Sequence, residues 1–181
     1  MMNDNFIMKN SSCISTETCE HLINFFNDNE SFASKGGVGD VGDASLDDLE
    51  ISINVFQFSE NLSLGIYHTI EKYKQKYPLI DTILEKWQVD NVAQLMRYEP
   101  GDFYSKIHCE TSTKYPHRIF AWMIYLNTIK DGGGTEFIHQ HETALPVAGD
   151  MYIWPAGWTH VHRGVVAPNE RKYLLTGWAS Y

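Results

Sequence analysis

The chain has 181 residues, of which 43% are hydrophobic and 13% aromatic, and its formal net charge is −9. This length suffices for one domain with a full core, and the composition excludes an intrinsically disordered chain. No run of Lys or Arg is long enough to follow a phosphate backbone, so nucleic acid is not expected as the main partner.

The N-terminal residues 1–9 lack the charged segment, apolar stretch and cleavage site of a secretory signal. No apolar stretch is long enough to cross a bilayer, so no membrane partner is expected. Cys13, Cys19 and Cys109 have neither the paired spacing of a zinc cluster nor the even number of a disulfide framework. These features favour a cytoplasmic protein, and they do not indicate an oligomeric state.

The first ninety residues are predicted to be mainly helical. A first helix is expected over 16–27, capped by Ser15 or Thr16, with an apolar stripe at i, i+3, i+4 and i+7. A strand is expected over 49–58, a second helix over 62–77 and a short third helix over 81–87. The apolar positions of the first two helices are Cys19, Leu22, Ile23 and Phe26, then Ile66, Ile70, Tyr73 and Tyr77.

Residues 34–45 contain four glycines and few side chains that could pack. This composition predicts a flexible loop, and the Lys-Ser/Thr ending of a phosphate-binding P-loop is absent. The loop could border a substrate groove or could simply connect two elements.

From residue 92 onward, short apolar segments separated by Gly and Pro predict strands. They are expected over 92–98, 103–110, 118–127, 136–139, 150–154, 159–166 and 172–179. The fold class is therefore α+β, mainly β, with a double-stranded β-helix (a cupin-like jelly roll) supported on one side by the N-terminal helices. We expect one domain over 1–181, in which 1–90 supply the helical support and first strand and 91–181 supply the β core.

His108, Glu110 and His162 form the most informative pattern. In a strand, side chains alternate, so His108 and Glu110 are predicted to point the same way while Cys109 points away as an inert thiol. A second imidazole follows about fifty residues later. Two imidazoles and one carboxylate on one face of a metal leave the other face open, which suits Fe(II) enzymes that bind a co-substrate and O₂.

The sequence around these residues resembles the prolyl-4-hydroxylase-like branch of the 2-oxoglutarate/Fe(II)-dependent oxygenases, in particular its small bacterial and phage members. The resemblance covers about residues 92–178 and depends on the order and spacing of several motifs together. These are Tyr98-Glu-Pro-Gly101, His108-Cys-Glu110, Tyr125-Leu-Asn127, Gly132-Gly-Gly134, Pro146-Val-Ala-Gly149, His162-Arg-Gly164 and Lys172-Tyr173.

The resemblance implies Fe(II), 2-oxoglutarate and O₂, with ascorbate as a further candidate, and it implies succinate and CO₂ as co-products. It assigns the metal to His108, Glu110 and His162. Glu110 departs from the family pattern, since most relatives carry Asp at this position. A glutamate is longer by one methylene, so its backbone must lie slightly farther from the metal. The resemblance also places the chain in the cytoplasm of a bacterium or of a phage-infected host cell.

The same resemblance implies a co-substrate site. Lys172 would bind the distal carboxylate of 2-oxoglutarate through charge-assisted hydrogen bonds. Arg171 is the alternative, although alternation sends it to the opposite side of the strand. Tyr98 resembles the phenol that reaches the same carboxylate, and Tyr125 the phenol near the metal-proximal oxygens; either could instead be a packing residue.

Four further residues are candidates for lining the substrate groove or supporting the metal ligands: Arg118, Tyr104, His160 and Trp158. Arg118 could equally form a structural salt bridge, and His160 could be a satisfied polar residue at the mouth of the barrel. Trp158 is the member of the aromatic set most expected to face substrate, while the others are expected in the core. That set comprises Trp122, Trp154, Trp158 and Trp178.

Three functions follow from these patterns. The leading one is an Fe(II)- and 2-oxoglutarate-dependent dioxygenase that hydroxylates a C–H bond, with a peptidyl proline suggested by the resemblance alone. The alternative is a catalytically inactive jelly-roll module for binding or phage structure, for which Glu110 is the only hint. A nucleic-acid demethylase would need a basic lip that a −9 chain does not offer. The substrate, whether peptide, protein or small molecule, depends on loops such as 34–45 and 111–117.

Overall fold

A computed structural model describes residues 4–36 and 48–181. The α-helices are α1 (Thr16–Asp28), α2 (Val55–Phe58), α3 (Glu60–Lys76) and α4 (Ile80–Ile83). The strands are β1 (Met8–Asn10), β2 (Ser34–Lys35), β3 (Leu49–Asn54), β4 (Gln88–Val89), β5 (Val92–Tyr98), β6 (Arg118–Tyr125), β7 (Thr135–Phe137), β8 (Glu142–Ala144), β9 (Met151–Pro155), β10 (His162–Gly164) and β11 (Lys172–Ser180).

Two antiparallel sheets form the β core. The larger sheet has the strand order β1-β9-β6-β11-β5-β3-β2, and β4 pairs with β11. The smaller sheet has the order β10-β7-β8. Buried side chains of both sheets share one cluster, so the two sheets pack face to face as in a jelly roll. The predicted fold class, mainly β with N-terminal helices, is confirmed.

The centre of the larger sheet is buried on both faces. One face of β6 contributes Phe120, Trp122 and Ile124 to a cluster shared with α1 and α3. The alternate residues Met123 and Tyr125 point between the sheets. Helices cover one face and the small sheet the other, so β6 is apolar at every position from 119 to 125, as in strands buried on both sides.

The two long helices form where their sequence patterns predict them. The Ser15 side chain accepts a hydrogen bond from the Thr18 amide and caps α1, and the Ser59 side chain does the same for α3 through Leu62. In α1, Leu22 and Phe26 of the predicted apolar stripe are buried. Both helices therefore lie on the outer face of the large sheet, as predicted.

Phe26 anchors α1 to the strand that carries Lys172. Its ring is fully buried and meets the ring of Tyr173, the next residue of β11, edge-on at a centroid distance of 6.0 Å. We expect Phe26→Ala to lower the free energy of unfolding by about 3–5 kcal/mol, because it removes a large core side chain and leaves a cavity. Chemical denaturation checks this value. Phe32→Ala, at an exposed phenylalanine, is the control and should change stability little.

Several predicted element boundaries are wrong. The strand predicted over 49–58 ends at Asn54, because the Asn54 side chain accepts from the amides of Phe56 and Gln57 and starts the short helix α2. The helix predicted over 81–87 is the single turn α4. Residues 103–110 are irregular apart from one bridge at His108, and residues 158–160 form a 3-10 helix before β10.

The loop predicted over 34–45 is described only at its start. Ser34 and Lys35 form β2 and pair with Glu50 and Leu49, so these two positions are not loop. The rest of the predicted loop, from residue 37 on, lies outside the described residues. Within the described ranges, no helix is both long enough and apolar enough to span a membrane.

Candidate metal and co-substrate site

An isolated antiparallel bridge joins His108 to His162. The His108 amide donates to the His162 carbonyl at 3.0 Å, and the His162 amide donates to the His108 carbonyl at 2.9 Å. This pairing brings the two imidazoles to a centroid distance of 4.4 Å. Tertiary hydrogen bonds, and not a regular strand, therefore hold the His108 segment in place.

Glu110 completes a cluster of three potential ligands. Its Oε1 lies 3.3 Å from His162 Nε2 and 3.6 Å from His108 Nε2. The three ligand atoms all lie within 4.8 Å of one another, and no further His, Cys, Asp or Glu joins them within residues 4–36 and 48–181. The three residues predicted as metal ligands therefore converge.

Backbone carbonyls fix the tautomer of both histidines. Nδ1 of His108 lies 2.9 Å from the Lys106 carbonyl oxygen, and Nδ1 of His162 lies 2.9 Å from the His160 carbonyl oxygen. A carbonyl oxygen only accepts, so each Nδ1 carries a proton, and in the neutral imidazole that binds a metal it is Nε2 that presents its lone pair to the cluster. This is the arrangement by which proteins orient histidine ligands to metals.

The second oxygen of Glu110 has its own partners. Trp178 Nε1 donates to Glu110 Oε2 at 2.7 Å, and an Arg118 guanidinium nitrogen lies 3.4 Å from the same oxygen. Burial raises the pKa of Glu110, but the hydrogen bonds and positive charges that His108 and His162 supply when protonated outweigh it and hold the pKa well below its ordinary value. Glu110 is therefore a carboxylate at neutral pH.

This donor set fits ferrous iron. Two neutral imidazoles and one carboxylate oxygen can occupy one face of an octahedron, and the described residues supply no fourth ligand. Three positions would remain for molecules from solution. The extra methylene of Glu110 does not carry its carboxylate away from the imidazoles.

Gly164 allows the His108 segment to approach β10. A Cβ on Gly164 would lie 3.1 Å from the backbone nitrogen and oxygen of Tyr104, and the Gly164 amide donates to the Tyr104 carbonyl at 2.7 Å. A side chain here would push the two segments apart. The glycine of the His162-Arg-Gly164 motif thus has a packing role beside the metal ligands.

Lys172 points between the two sheets. It pairs with Tyr98 across β11 and β5, and its Nζ lies 4.5 Å from the centroid of the Tyr98 ring. The residue is 2% exposed, and in the described part of the chain no carboxylate lies within 4.0 Å of its ammonium. Burial lowers the pKa of Lys172 to about 8, although Asp48 acts in the opposite direction. A buried ammonium that no carboxylate of residues 4–36 or 48–181 pairs directly fits the carboxylate of a dicarboxylic co-substrate.

Asp48 is a buried carboxyl group that the sequence did not indicate. Leu49 pairs with Arg97, so the preceding Asp48 comes opposite Tyr98 and in line with Lys172 across three strands. Burial raises the pKa of Asp48, and the charge of Lys172 opposes that shift. Asp48 therefore supplies a longer-range counter-charge to the lysine.

Arg171 and Tyr125 are placed differently from Lys172. Arg171 is exposed and its guanidinium pairs with Glu99 at 2.9 Å, on the outside of the sheet. Tyr125 is fully buried, and its hydroxyl lies 2.9 Å from Thr135 Oγ1 and donates to the Ala144 carbonyl at 3.3 Å. The Tyr125 hydroxyl thus already has protein partners between the sheets.

Two of the four residues that were candidates for lining the substrate groove contact the cluster of three potential ligands. The ring of Tyr104 lies 4.3 Å from that of His108, centroid to centroid. The Arg118 guanidinium stacks on Trp178 at 3.5 Å and on Tyr115 at 3.8 Å while it pairs with Glu110. The salt bridge that was one of two expectations for Arg118 is therefore present.

The other two candidates lie apart from the ligands. The predicted strand at 159–166 would have put His160 on the same face as His162, but the 3-10 turn directs the His160 ring away, with Nε2 2.9 Å from the Asn5 carbonyl. What His160 contributes to His162 is its own backbone carbonyl. Trp158 is 72% exposed and meets the ring of exposed His139 at 6.4 Å.

The remaining tryptophans occupy three different environments. Trp154 packs edge-on against His162 at a centroid distance of 5.2 Å, inside the jelly roll. Trp122 is buried on the other face of the sheet, against the helices and away from the ligands. Trp178, expected in the core, is half-buried and bonds Glu110. Cys109 donates its thiol to the Thr111 carbonyl at 3.3 Å and stays out of the cluster, as predicted.

Comparisons with known proteins agree with this geometry. The family model described as "2OG-Fe(II) oxygenase superfamily" matches residues 93–180, which include all three potential ligands and Lys172. A search of the curated proteins found no significant match.

Solved structures of prolyl hydroxylases have the same fold. The viral collagen prolyl hydroxylase of Paramecium Bursaria Chlorella virus-1 aligns with a TM-score of 0.70 at 16% identity, over 96% of this chain and 95% of that chain. A Pseudomonas putida prolyl-4-hydroxylase aligns with 0.68 at 17%, over 97% and 92%. A Trichoplax adhaerens prolyl hydroxylase, solved with a hypoxia inducible factor peptide fragment, aligns with 0.72 at 17%, over 99% and 85%. Residues 93–180 are thus similar in sequence to the 2OG-Fe(II) oxygenase superfamily, and the chain shares its fold with these prolyl hydroxylases.

Proposed function

We propose that this protein is an Fe(II)- and 2-oxoglutarate-dependent dioxygenase that hydroxylates a C–H bond of a prolyl residue in a peptide, with succinate and CO₂ as co-products. The observation that carries the proposal is the convergence of His108, Glu110 and His162 in the same jelly-roll interior as the buried ammonium of Lys172. A structural jelly roll needs neither feature: a buried lysine that no described carboxylate pairs within 4.0 Å costs stability, and a convergent ligand cluster adds nothing to packing.

Each residue has a distinct task in this proposal. When bound, iron and 2-oxoglutarate supply the oxidising chemistry. His108, Glu110 and His162 hold the metal, and Lys172 with Tyr98 binds the distal carboxylate of the co-substrate. Tyr125 is placed to line the same interior. Trp154 and Phe137 pack their rings at 5.2 and 5.4 Å from that of His162 and exclude water from one side of the metal.

Aromatic rings next to the ligand cluster support a prolyl substrate. Tyr104 lies against His108, and Tyr115, which stacks on Arg118, is 41% exposed. Proline-rich segments dock into aromatic-lined grooves, because their polyproline II helix is preformed and loses little entropy on binding. The Trichoplax neighbour was solved with a peptide fragment, which supports a peptide rather than a free small molecule as substrate. The three free cysteines of the chain support a reducing cytoplasm as its location.

The test is a pair of measurements on the purified protein with Fe(II), 2-oxoglutarate and ascorbate. Succinate release reports turnover of the co-substrate, and mass spectrometry of a proline-containing peptide library reports addition of one oxygen atom. We expect both, with peptides whose proline is replaced by alanine left unmodified. Metal binding without any succinate release would contradict the enzyme assignment and favour the inactive binding module. Oxygen addition to residues other than proline would contradict the substrate assignment alone.

A further inference from the structure

We propose that Trp178 is a positioning residue for the metal site: its indole N–H holds one oxygen of Glu110, so that only the other oxygen is presented to the metal. The proposal rests on the proposed function, since it takes the cluster of His108, Glu110 and His162 as the metal site. Neither the sequence motifs nor the core position that was expected for Trp178 predicts this role.

The two oxygens of Glu110 have separate environments. Oε1 faces both imidazole Nε2 atoms, at 3.3 and 3.6 Å. Oε2 is turned the other way and accepts from Trp178 Nε1 at 2.7 Å, with Arg118 at 3.4 Å. Of these two contacts, the indole bond is the shorter, and its length is typical of a charge-assisted hydrogen bond.

Trp178 is itself held by its surroundings. It lies on β11 opposite Ala121 of β6, and its carbonyl accepts from the Asp90 amide at 2.9 Å. The Arg118 guanidinium stacks on its ring at 3.5 Å and continues the stack onto Tyr115 at 3.8 Å. The indole therefore offers its N–H from a fixed direction. An indole is a donor only, so it cannot exchange this role for that of an acceptor.

Glu110 needs such a partner more than an aspartate would. A glutamate has one more rotatable bond, and a carboxylate can bind a metal through one oxygen or through both. Two imidazoles and both carboxylate oxygens would fill four of the six octahedral positions. A 2-keto acid that binds through two oxygens, together with O₂, requires three open positions. By occupying Oε2, Trp178 keeps Glu110 a one-oxygen ligand.

The decisive variant is Trp178→Phe, which retains an aromatic ring and removes the N–H. We expect its affinity for Mn²⁺, measured by calorimetry on the metal-free protein, to fall by about 10–100-fold, the usual loss when a group that orients a ligand is removed. Trp158→Phe makes the same change at an exposed tryptophan and should leave Mn²⁺ affinity unchanged. Thermal unfolding in a chelator checks that each variant is folded.

A second replacement addresses misfolding. Incorporation of β-(3-benzothienyl)alanine at position 178 keeps the fused-ring shape and replaces the N–H with a sulfur that cannot donate. A loss of Mn²⁺ affinity in this variant is therefore due to the missing hydrogen bond. The same loss is expected as in Trp178→Phe.

A double-mutant cycle shows whether Trp178 acts through Glu110. Glu110→Asp shortens the side chain and should weaken the contact to the indole, so adding Trp178→Phe should then cost less Mn²⁺ affinity than it does in the wild type. Wild-type Mn²⁺ affinity in both position-178 variants, or equal losses with and without Glu110→Asp, would overturn the positioning role. If the three residues did not bind the metal at all, a variant that lacks a histidine ligand would keep the wild-type Mn²⁺ affinity. That result contradicts the proposed metal site and is distinct from a result that contradicts only the role of Trp178.

Discussion

We expect His162→Ala to abolish succinate release and to weaken Mn²⁺ or Fe²⁺ binding by about 100-fold or more, because it removes one of three direct ligands. His162 is 5% exposed, and its Nε2 faces Glu110 Oε1 at 3.3 Å. Its Nδ1 is already satisfied by a backbone carbonyl, so Nε2 is the nitrogen that is left to bind a metal. Calorimetry with Mn²⁺ on the metal-free protein and a succinate assay with Fe²⁺ measure the two effects.

His160→Ala is the matched control, two residues away in the same sequence motif. The His160 ring contacts the Asn5 carbonyl and Thr159, so its loss should lower the unfolding temperature. The variant keeps the backbone carbonyl that orients His162, and Mn²⁺ affinity should therefore stay near the wild-type value. If His160→Ala lost metal and His162→Ala kept it, the ligand assignment would be wrong.

The chemistry of the site was more predictable than its local structure. His108 and Glu110 were expected to face the same way because residues two apart in a strand do so, yet their segment is irregular. Their convergence comes from the bridge to His162 and from the Glu110 amide, which donates to the Ala156 carbonyl at 3.0 Å. Such long-range hydrogen bonds leave no periodic pattern in the sequence.

The elements that sequence reasoning missed share a physical cause. The helices α1 and α3 carry their own caps and apolar stripes, so local sequence predicts them. The strands β1, β2, β4 and β8 are two or three residues long, and partners far away in the chain define them. Too few alternating positions exist in such segments to produce a signal.

The same reason hid Trp178 and Asp48. Trp178 and Glu110 are 68 residues apart in the sequence. From the sequence alone, an isolated tryptophan near the end of a strand is predicted to be a core residue. Asp48 comes into line with Lys172 only through the pairing of β3 with β5 and of β5 with β11. Knowledge of the sheet register, which the sequence does not encode locally, would have identified both residues.

Lys172 should control the affinity for 2-oxoglutarate. We expect Lys172→Met, which retains the aliphatic length and removes the charge, to weaken 2-oxoglutarate binding by about 10–100-fold, the range that a charge-assisted hydrogen bond of about 1.5–3 kcal/mol supplies. Arg171→Ala is the matched control on the neighbouring residue, whose guanidinium pairs with Glu99 outside the sheet. Mn²⁺ affinity should be unchanged in both variants, which separates the co-substrate site from the metal site.

The low pKa of Lys172 makes this binding dependent on pH. The ammonium is protonated below its pKa of about 8 and loses its charge as the pH rises through that value. Between pH 7 and pH 9, the affinity for 2-oxoglutarate should therefore fall about tenfold, since each pH unit above the pKa removes a further factor of ten of the charged form. Lys172→Arg, which stays charged in this range, should bind with little dependence on pH.

Asp48 and the choice of keto acid test the same mechanism independently. The charge of Asp48 favours the protonated lysine, so Asp48→Asn should lower the pKa of Lys172 and move the midpoint of the 2-oxoglutarate binding profile to lower pH. Binding of 2-oxobutyrate, which lacks a distal carboxylate, should not follow that profile, because it does not use the ammonium. A parallel fall in the affinity for both keto acids would locate the titrating group at the metal instead of at Lys172. If Asp48→Asn left the midpoint unchanged, the charge of Asp48 would not affect the pKa of Lys172 across the strand that carries Tyr98.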